Sequence, residues 1–128
     1  MKSINRRVRI LMLHRNSKMA EKKGVAQGKN TFVQVLLSAD ETSNFAMRKF
    51  TIEPGGSMPL HTNKVEHEQY VLNGEAELNI GNEKINVKKD DVVFIPANIE
   101  HDYKNIGEVP FEFLCLIPNQ ADEITLIK

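Results

Sequence analysis

From Thr31 onward the chain is a succession of short segments rich in Val, Ile, Phe and Leu, broken by Gly, Pro, Asn and Asp. Breaks recur at intervals of roughly eight to twelve residues, the spacing of a sandwich or barrel. The pattern predicts strands over Thr31–Leu37, Phe45–Ile52, His67–Leu72, Ala76–Ile80, Glu83–Val87, Val92–Ile95, His101–Asn105, Phe111–Ile117 and Glu123–Ile127. Several show the period-2 alternation of half-buried strands. In Glu75 to Ile80 the apolar set is Ala76, Leu78 and Ile80, with both glutamates on the other side. Lys84 to Val87 alternates in return, and Gly81-Asn82 between the two segments is a tight-turn pair, because both residues tolerate positive φ. Asn73-Gly74 predicts another turn, and Pro54-Gly55-Gly56 predicts the end of the Phe45 strand. So many short strands need their edges covered, which makes the body a closed or nearly closed antiparallel barrel.

Composition narrows the setting. The chain has 128 residues, 41% of them hydrophobic, enough for one domain with a core that needs no metal or disulfide staple. The single Cys115 excludes a disulfide scaffold and fits a reducing cytoplasm. Apolar runs such as Ile10 to Leu13 and Leu114 to Ile117 are too short for a bilayer span or a signal peptide, so a membrane protein is not expected. Seventeen basic residues balance seventeen acidic ones, yet residues 1–30 carry +8 and residues 31–128 carry −8. This divides the chain into a basic N-terminal arm, residues 1–24, and a barrel domain, residues 25–128.

The arm admits three accounts. Arg6, Arg7 and Arg9 could touch nucleic acid, although without interleaved aromatics or a groove-entering helix such binding would be nonspecific, and this account ranks last. Met12, or else Met19, could be the true start, as the family resemblance described below implies. Ile10 to Leu13 could form a strand that pairs with a second subunit. The last two accounts are compatible.

Three of the four histidines, His61, His67 and His101, sit at ends of predicted strands; His14 lies in the arm and reads as a surface residue. His61 and Asn63 are two apart in an extended segment and project to one face. If His67 projects inward, its neighbours Glu66 and Glu68 project outward. His101 follows a Pro96–Glu100 turn that can return it over the barrel mouth. Imidazoles that converge on a point are the commonest holders of a borderline divalent metal.

These residues resemble the two motifs of the cupin superfamily. The first has the form G-x5-H-x-H-x(3,4)-E-x6-G, matched by Gly55, His61, Asn63, His67 and Gly74. The second has the form G-x5-P-x-G-x2-H-x3-N, matched by Asp90, Pro96, Asn98, His101 and Asn105. All spacings agree, and the resemblance covers about residues 25–118. Four positions depart: Asn63 replaces a histidine, His67 the acidic ligand, and Asp90 and Asn98 replace glycines. Asn is the next best residue after Gly for a left-handed position. Asn63 is the larger change, because an amide oxygen is a poorer donor to a transition metal than imidazole.

The resemblance implies an all-β fold, a cupin-type antiparallel jelly-roll β-barrel of six to eight strands, and a homodimer. It also implies a divalent transition metal, Mn, Fe, Ni or Zn, held by His61, His67 and His101 with Asn63 at a weak or vacant fourth position. Three nitrogens with open positions suffice for a catalytic-type site. The function expected is then a metal-dependent isomerase, lyase or dioxygenase on a small carboxylated or enolic molecule. A hydrogen-bonded polar pocket without metal, or a binding module descended from an enzyme, remains the competing class.

Further pocket candidates come from alternation. Phe111, Phe113, Cys115 and Ile117 share one face of their strand, and Cys115 either lines the site or is an inert buried thiol. Arg48 shares a face with Ala46, Phe50 and Ile52; it either binds a carboxylate ligand inside the pocket or is a surface or dimer-interface arginine. Gln69, two residues beyond His67, faces inward as a hydrogen-bonding group or as polar filler. Glu66, Glu68, Glu75 and Glu77 read as a solvated sheet face. Phosphate loops, cysteine clusters and nucleophile elbows are absent from the sequence.

Overall fold

The computed structural model describes residues 11–127; Arg6, Arg7, Arg9 and Ile10 lie outside them. Among the described residues ten strands form: β1 (Lys23–Gly24), β2 (Lys29–Leu37), β3 (Phe45–Asn63), β4 (His67–Asn73), β5 (Glu75–Ile80), β6 (Glu83–Lys88), β7 (Val92–Ile95), β8 (His101–Asn105), β9 (Phe111–Pro118) and β10 (Ile124–Leu126). All pairings are antiparallel, in the order β6-β5-β8-β3-β9-β4-β7, with β2 and β10 also on β3 and β1 on β2. The fold is the expected all-β jelly-roll barrel, with ten strands where six to eight were expected. Upstream, a one-turn 3-10 helix at Ser17–Met19 is tied to β2 by Gln34, whose amide donates to the Ser17 and Ala20 carbonyls. Leu11 to Leu13 form no strand. No helix among the described residues is long and apolar enough to cross a membrane.

The largest departure from expectation is β3. Pro54-Gly55-Gly56 does not end it; the strand runs from Phe45 to Asn63, 19 residues in all. Gly55 takes a φ of +82°, a left-handed conformation that costs glycine little, so the strand bends without losing its partners. β2 pairs across the bend, with Thr31 opposite Ile52 and Lys29 opposite Ser57. Before the bend β3 pairs with β9, and after it with β8 and β10. One strand thus links both halves of the barrel and ends at His61 and Asn63.

The β5–β6 hairpin forms as expected, with Ile80 opposite Glu83 and Gly81 at φ +58°. Asp90 and Asn98, which replace motif glycines, both adopt positive φ, +77° and +65°. The core lies between the two halves, built on Ile52, Val71, Leu78, Ile95, Phe111 and Phe113. Phe50, Phe113 and Tyr103 stack in sequence at 5.3 and 5.2 Å between ring centroids, and His101 packs edge-on against Tyr103.

Candidate functional site

β3 and β8 set two histidines side by side, since His61 and His101 are direct cross-strand partners with ring centroids 4.2 Å apart. Asn63, two residues on from His61, is buried on the same face. The Asn98 N–H donates to the Asn63 carbonyl at 2.8 Å, which holds the Pro96–Glu100 turn against the end of β3. His67 opens β4 and is buried as expected, while Glu66 is exposed and Glu68 half-buried. Its ring lies 6.0 Å from that of His101.

Ring orientation is fixed from behind. His61 Nδ1 lies 2.8 Å from the Pro59 carbonyl and His101 Nδ1 2.9 Å from the Ile99 carbonyl. A carbonyl only accepts, so each Nδ1 donates and each Nε2 keeps its lone pair, the arrangement of a metal-ligating imidazole. His67 Nε2, His101 Nε2 and Asn63 Oδ1 are all buried with no hydrogen-bond partner. Burial is the largest influence on all three histidines and pushes each below its ordinary pKa, His67 to about 3 and His101 to about 4. The Arg48 guanidinium adds to the effect on His67, whereas the Pro59 and Ile99 carbonyls oppose it at the other two. All three stay neutral near pH 7, as ligands must.

Neutral imidazoles, orphaned acceptors and one amide oxygen are a donor set that fits a divalent transition metal. Two imidazoles on one tetrahedral ion stand about 5.3 Å apart between centroids at ordinary metal–nitrogen distances; His61 and His101 lie within that separation, whereas His67 and His101, at 6.0 Å, lie beyond it. Among the described residues no three His, Cys, Asp or Glu side chains are already grouped closely enough to hold an ion, so binding requires the rings to draw together.

Beside the cluster lies a cavity of about 330 Å³, at the small end of ligand pockets. Its wall includes His61, Asn63, His67, Arg48, Gln69 and Phe113. His101 is not on the wall; it packs behind His61 and against Tyr103. Arg48 lies over the Phe50 ring at 4.9 Å; its Nη2 donates to Cys115 Sγ at 3.6 Å, and its buried Nε has no partner. Gln69 Nε2 donates to the Tyr103 hydroxyl at 2.7 Å. Two pocket candidates fall elsewhere. Cys115 is fully buried behind the wall, where Arg48 and Gln69 meet its sulfur and burial pushes its thiol pKa up. Ile117 is a partly buried residue packed against the core. Alternation gave both the right face of β9, but Arg48 and Gln69 on the flanking strands cover Cys115, and Ile117 lies farther along, opposite Ala46.

Sequence reasoning missed Tyr103, Gln27, Asp122 and Ile124, all on the cavity wall. Tyr103 had a signal, being two residues beyond His101 on one strand. Asp122 and Ile124 lie outside both motifs, and only the pairing of β10 with β3 brings them here. Asn105, the last motif residue, is structural: its amide donates to the Ile52 and Val109 carbonyls and its oxygen accepts the Gly107 N–H.

A family model described as Cupin domain matches residues 48–117, more than half of the chain. The chain belongs to the cupin family. Among curated proteins this cupin is 41% identical over 66 residues to the uncharacterized protein MJ1618 of Methanocaldococcus jannaschii, a stretch covering 50% of the chain and 53% of that relative. It is 31% identical over 86 residues to the oxalate decarboxylase OxdC of Bacillus subtilis, covering 58% of the chain and 22% of OxdC. The chain thus spans about half, or less, of these relatives. Among solved structures it resembles the polyketide cyclase RemF of Streptomyces resistomycificus with a TM-score of 0.84 at 24% identity, over 92% of this chain and 87% of RemF. At that identity the likeness carries the fold and not the activity.

Proposed function

We propose that this cupin is a metal-dependent enzyme acting on a small carboxylated or enolic molecule, in the isomerase, lyase or dioxygenase range. The observation that carries the reading is the set of buried, partnerless polar atoms, His67 Nε2, His101 Nε2 and Asn63 Oδ1, beside a cavity that also holds Arg48. His61, His67 and His101, with Asn63 as the weakest donor, would hold Mn, Fe, Ni or Zn. A bound ion would supply Lewis-acid polarisation of the ligand's oxygens. Arg48 binds the carboxylate, because its unpaired Nε is a charged donor that a carboxylate satisfies. Phe50 and Phe113 give the cavity an apolar side that excludes water, and the Gln69–Tyr103 pair offers hydrogen bonds to a second polar group. The relative OxdC, by its name, acts on oxalate, a small dicarboxylate.

The test is binding and turnover of a panel of small carboxylates and enolisable acids by metal-loaded protein. Arg48→Ala is expected to weaken carboxylate binding at least tenfold while metal content is retained; unaltered binding would remove Arg48 from the reading. The second reading, a binding module without chemistry, draws on the open spacing of the histidine set and on Asn63. It predicts carboxylate binding without turnover under any of the four metals.

We further propose that the protein works in a reducing compartment such as the cytoplasm, consistent with its lone buried thiol, and that it is a homodimer. The dimer contact is assigned to the outer face of β4, β7 and β9 with the start of β3. There Tyr70, Val92, Phe94, Leu114, Leu116 and Met47 surround an apolar groove of about 400 Å³.

A further inference from the structure

Asp122 occupies the loop between β9 and β10, which returns to the cavity because Ile124 pairs opposite Asn63 and Leu126 opposite His61. Its Oδ2 accepts from Asn63 Nδ2 at 3.2 Å, and its Oδ1 accepts the Lys64 and Glu123 N–H groups, each at 2.8 Å. Both carboxylate oxygens are engaged. Asp122 is therefore on the cavity wall as a fixed acceptor and not as a spare ligand.

Its engagement with Asn63 selects one end of an amide. A primary amide presents an oxygen that can bind a cation and an NH2 group that cannot. A carboxylate only accepts, so it takes the NH2 end and leaves Oδ1 turned away from it. That Oδ1 is buried and has no hydrogen-bond partner.

We propose that Asp122 is a positioning residue that turns Asn63 into an oxygen donor, completing a set of three imidazole nitrogens and one amide oxygen. The inference rests on the metal-site reading above. It gives the poorest ligand position of the site a role that depends on a residue 59 positions downstream, carried by a loop outside both histidine motifs.

The test is titration of the metal-free full chain with Co²⁺, followed by visible absorption and by competition with a chromophoric chelator. Wild type, Asp122→Ala, Asn63→Ala and the double variant form a cycle. Asp122→Ala is expected to weaken Co²⁺ binding about tenfold or more, the usual effect of losing a partner that orients a ligand, and to change the Co²⁺ spectrum as Asn63→Ala does. In the Asn63→Ala background the same substitution should have no further effect on affinity. If Asp122→Ala does not fold, Asp122→Asn serves, since it keeps the size and its NH2 would draw the Asn63 oxygen away from the histidines; the same loss is expected.

An unchanged affinity and spectrum, even with a lowered melting temperature, would reduce Asp122 to a fastener of the C-terminal strand and overturn the proposal. An equal loss in both backgrounds would overturn it too, because Asp122 would then act other than through Asn63. Failure of the wild type to take up Co²⁺ would defeat the metal-site reading together with this one, whereas wild-type uptake with a silent Asp122→Ala defeats this one alone.

Discussion

The histidines are held neutral by burial, and that has a thermodynamic sign. In the unfolded chain each imidazole titrates near 6.5, whereas folded His67 and His101 titrate at about 3 and about 4. Between those values the unfolded state holds more protons, so their contribution is present above about pH 6.5 and is lost as pH falls through the window toward the folded values. Glu68 has the opposite sign. Burial and its hydrogen bond with Glu66 raise it from 4.5 to about 7, so the folded state holds more protons there and stability falls as pH rises. Urea denaturation of the metal-free protein is expected to show a lower midpoint at pH 5 than at pH 7.5, with a steeper loss in Glu68→Gln. A flat profile in both would mean that the histidines are not buried as described. At this scale His61, Asn63, His67 and His101 were legible because strand alternation and motif spacing are local. Asp122 was not, because its tie to Asn63 spans 59 residues and depends on β10 finding the end of β3.

Elements were legible where local signals and pairing agree. The β5–β6 hairpin follows from alternation and a glycine turn, and β9 shows the buried alternation of Phe111, Phe113 and Cys115. β3 was misread because Pro54-Gly55-Gly56 is a sound local turn signal. Partners on both sides of the bend overrode it, and the outcome is a bent strand that carries Arg48 on one limb and His61 and Asn63 on the other. The turn at Gly74 is the opposite case, in which sequence and structure agree and substitution is costly. Its φ is +79°, and a Cβ there would strike the Pro110 carbonyl oxygen. Gly74→Ala is expected to cost about 2 kcal/mol or more, read as a melting temperature lower by roughly 8 °C. Gly24→Ala, where nothing lies within 4 Å, should change it little. Equal melting temperatures for the two variants would contradict the close packing of the β4–β5 turn against Pro110.

For the molecule as a whole, the barrel puts chemistry inside and leaves an apolar face outside. Val92 is 72% and Phe94 55% exposed, and with Tyr70 and Leu116 they form a patch larger than isolated surface apolar residues explain. Light scattering on the wild type is expected to give twice the monomer mass, and Val92→Lys with Phe94→Glu is expected to halve it. A wild-type monomer would remove the dimer proposal. The all-β class was legible from the strand rhythm. The cavity was only partly so, since its wall combines β2, β3, β4, β8 and β9 with Gln27, Asp122 and Ile124 of β10, a convergence that no single segment encodes. The proposed metal site at the histidine cluster is tested by elemental analysis of protein purified without chelator or a metal-binding tag, followed by uptake of Mn, Fe, Ni and Zn. About one equivalent per chain, lost in His101→Ala, is the predicted result; no stoichiometric metal and no uptake of any of the four would contradict it.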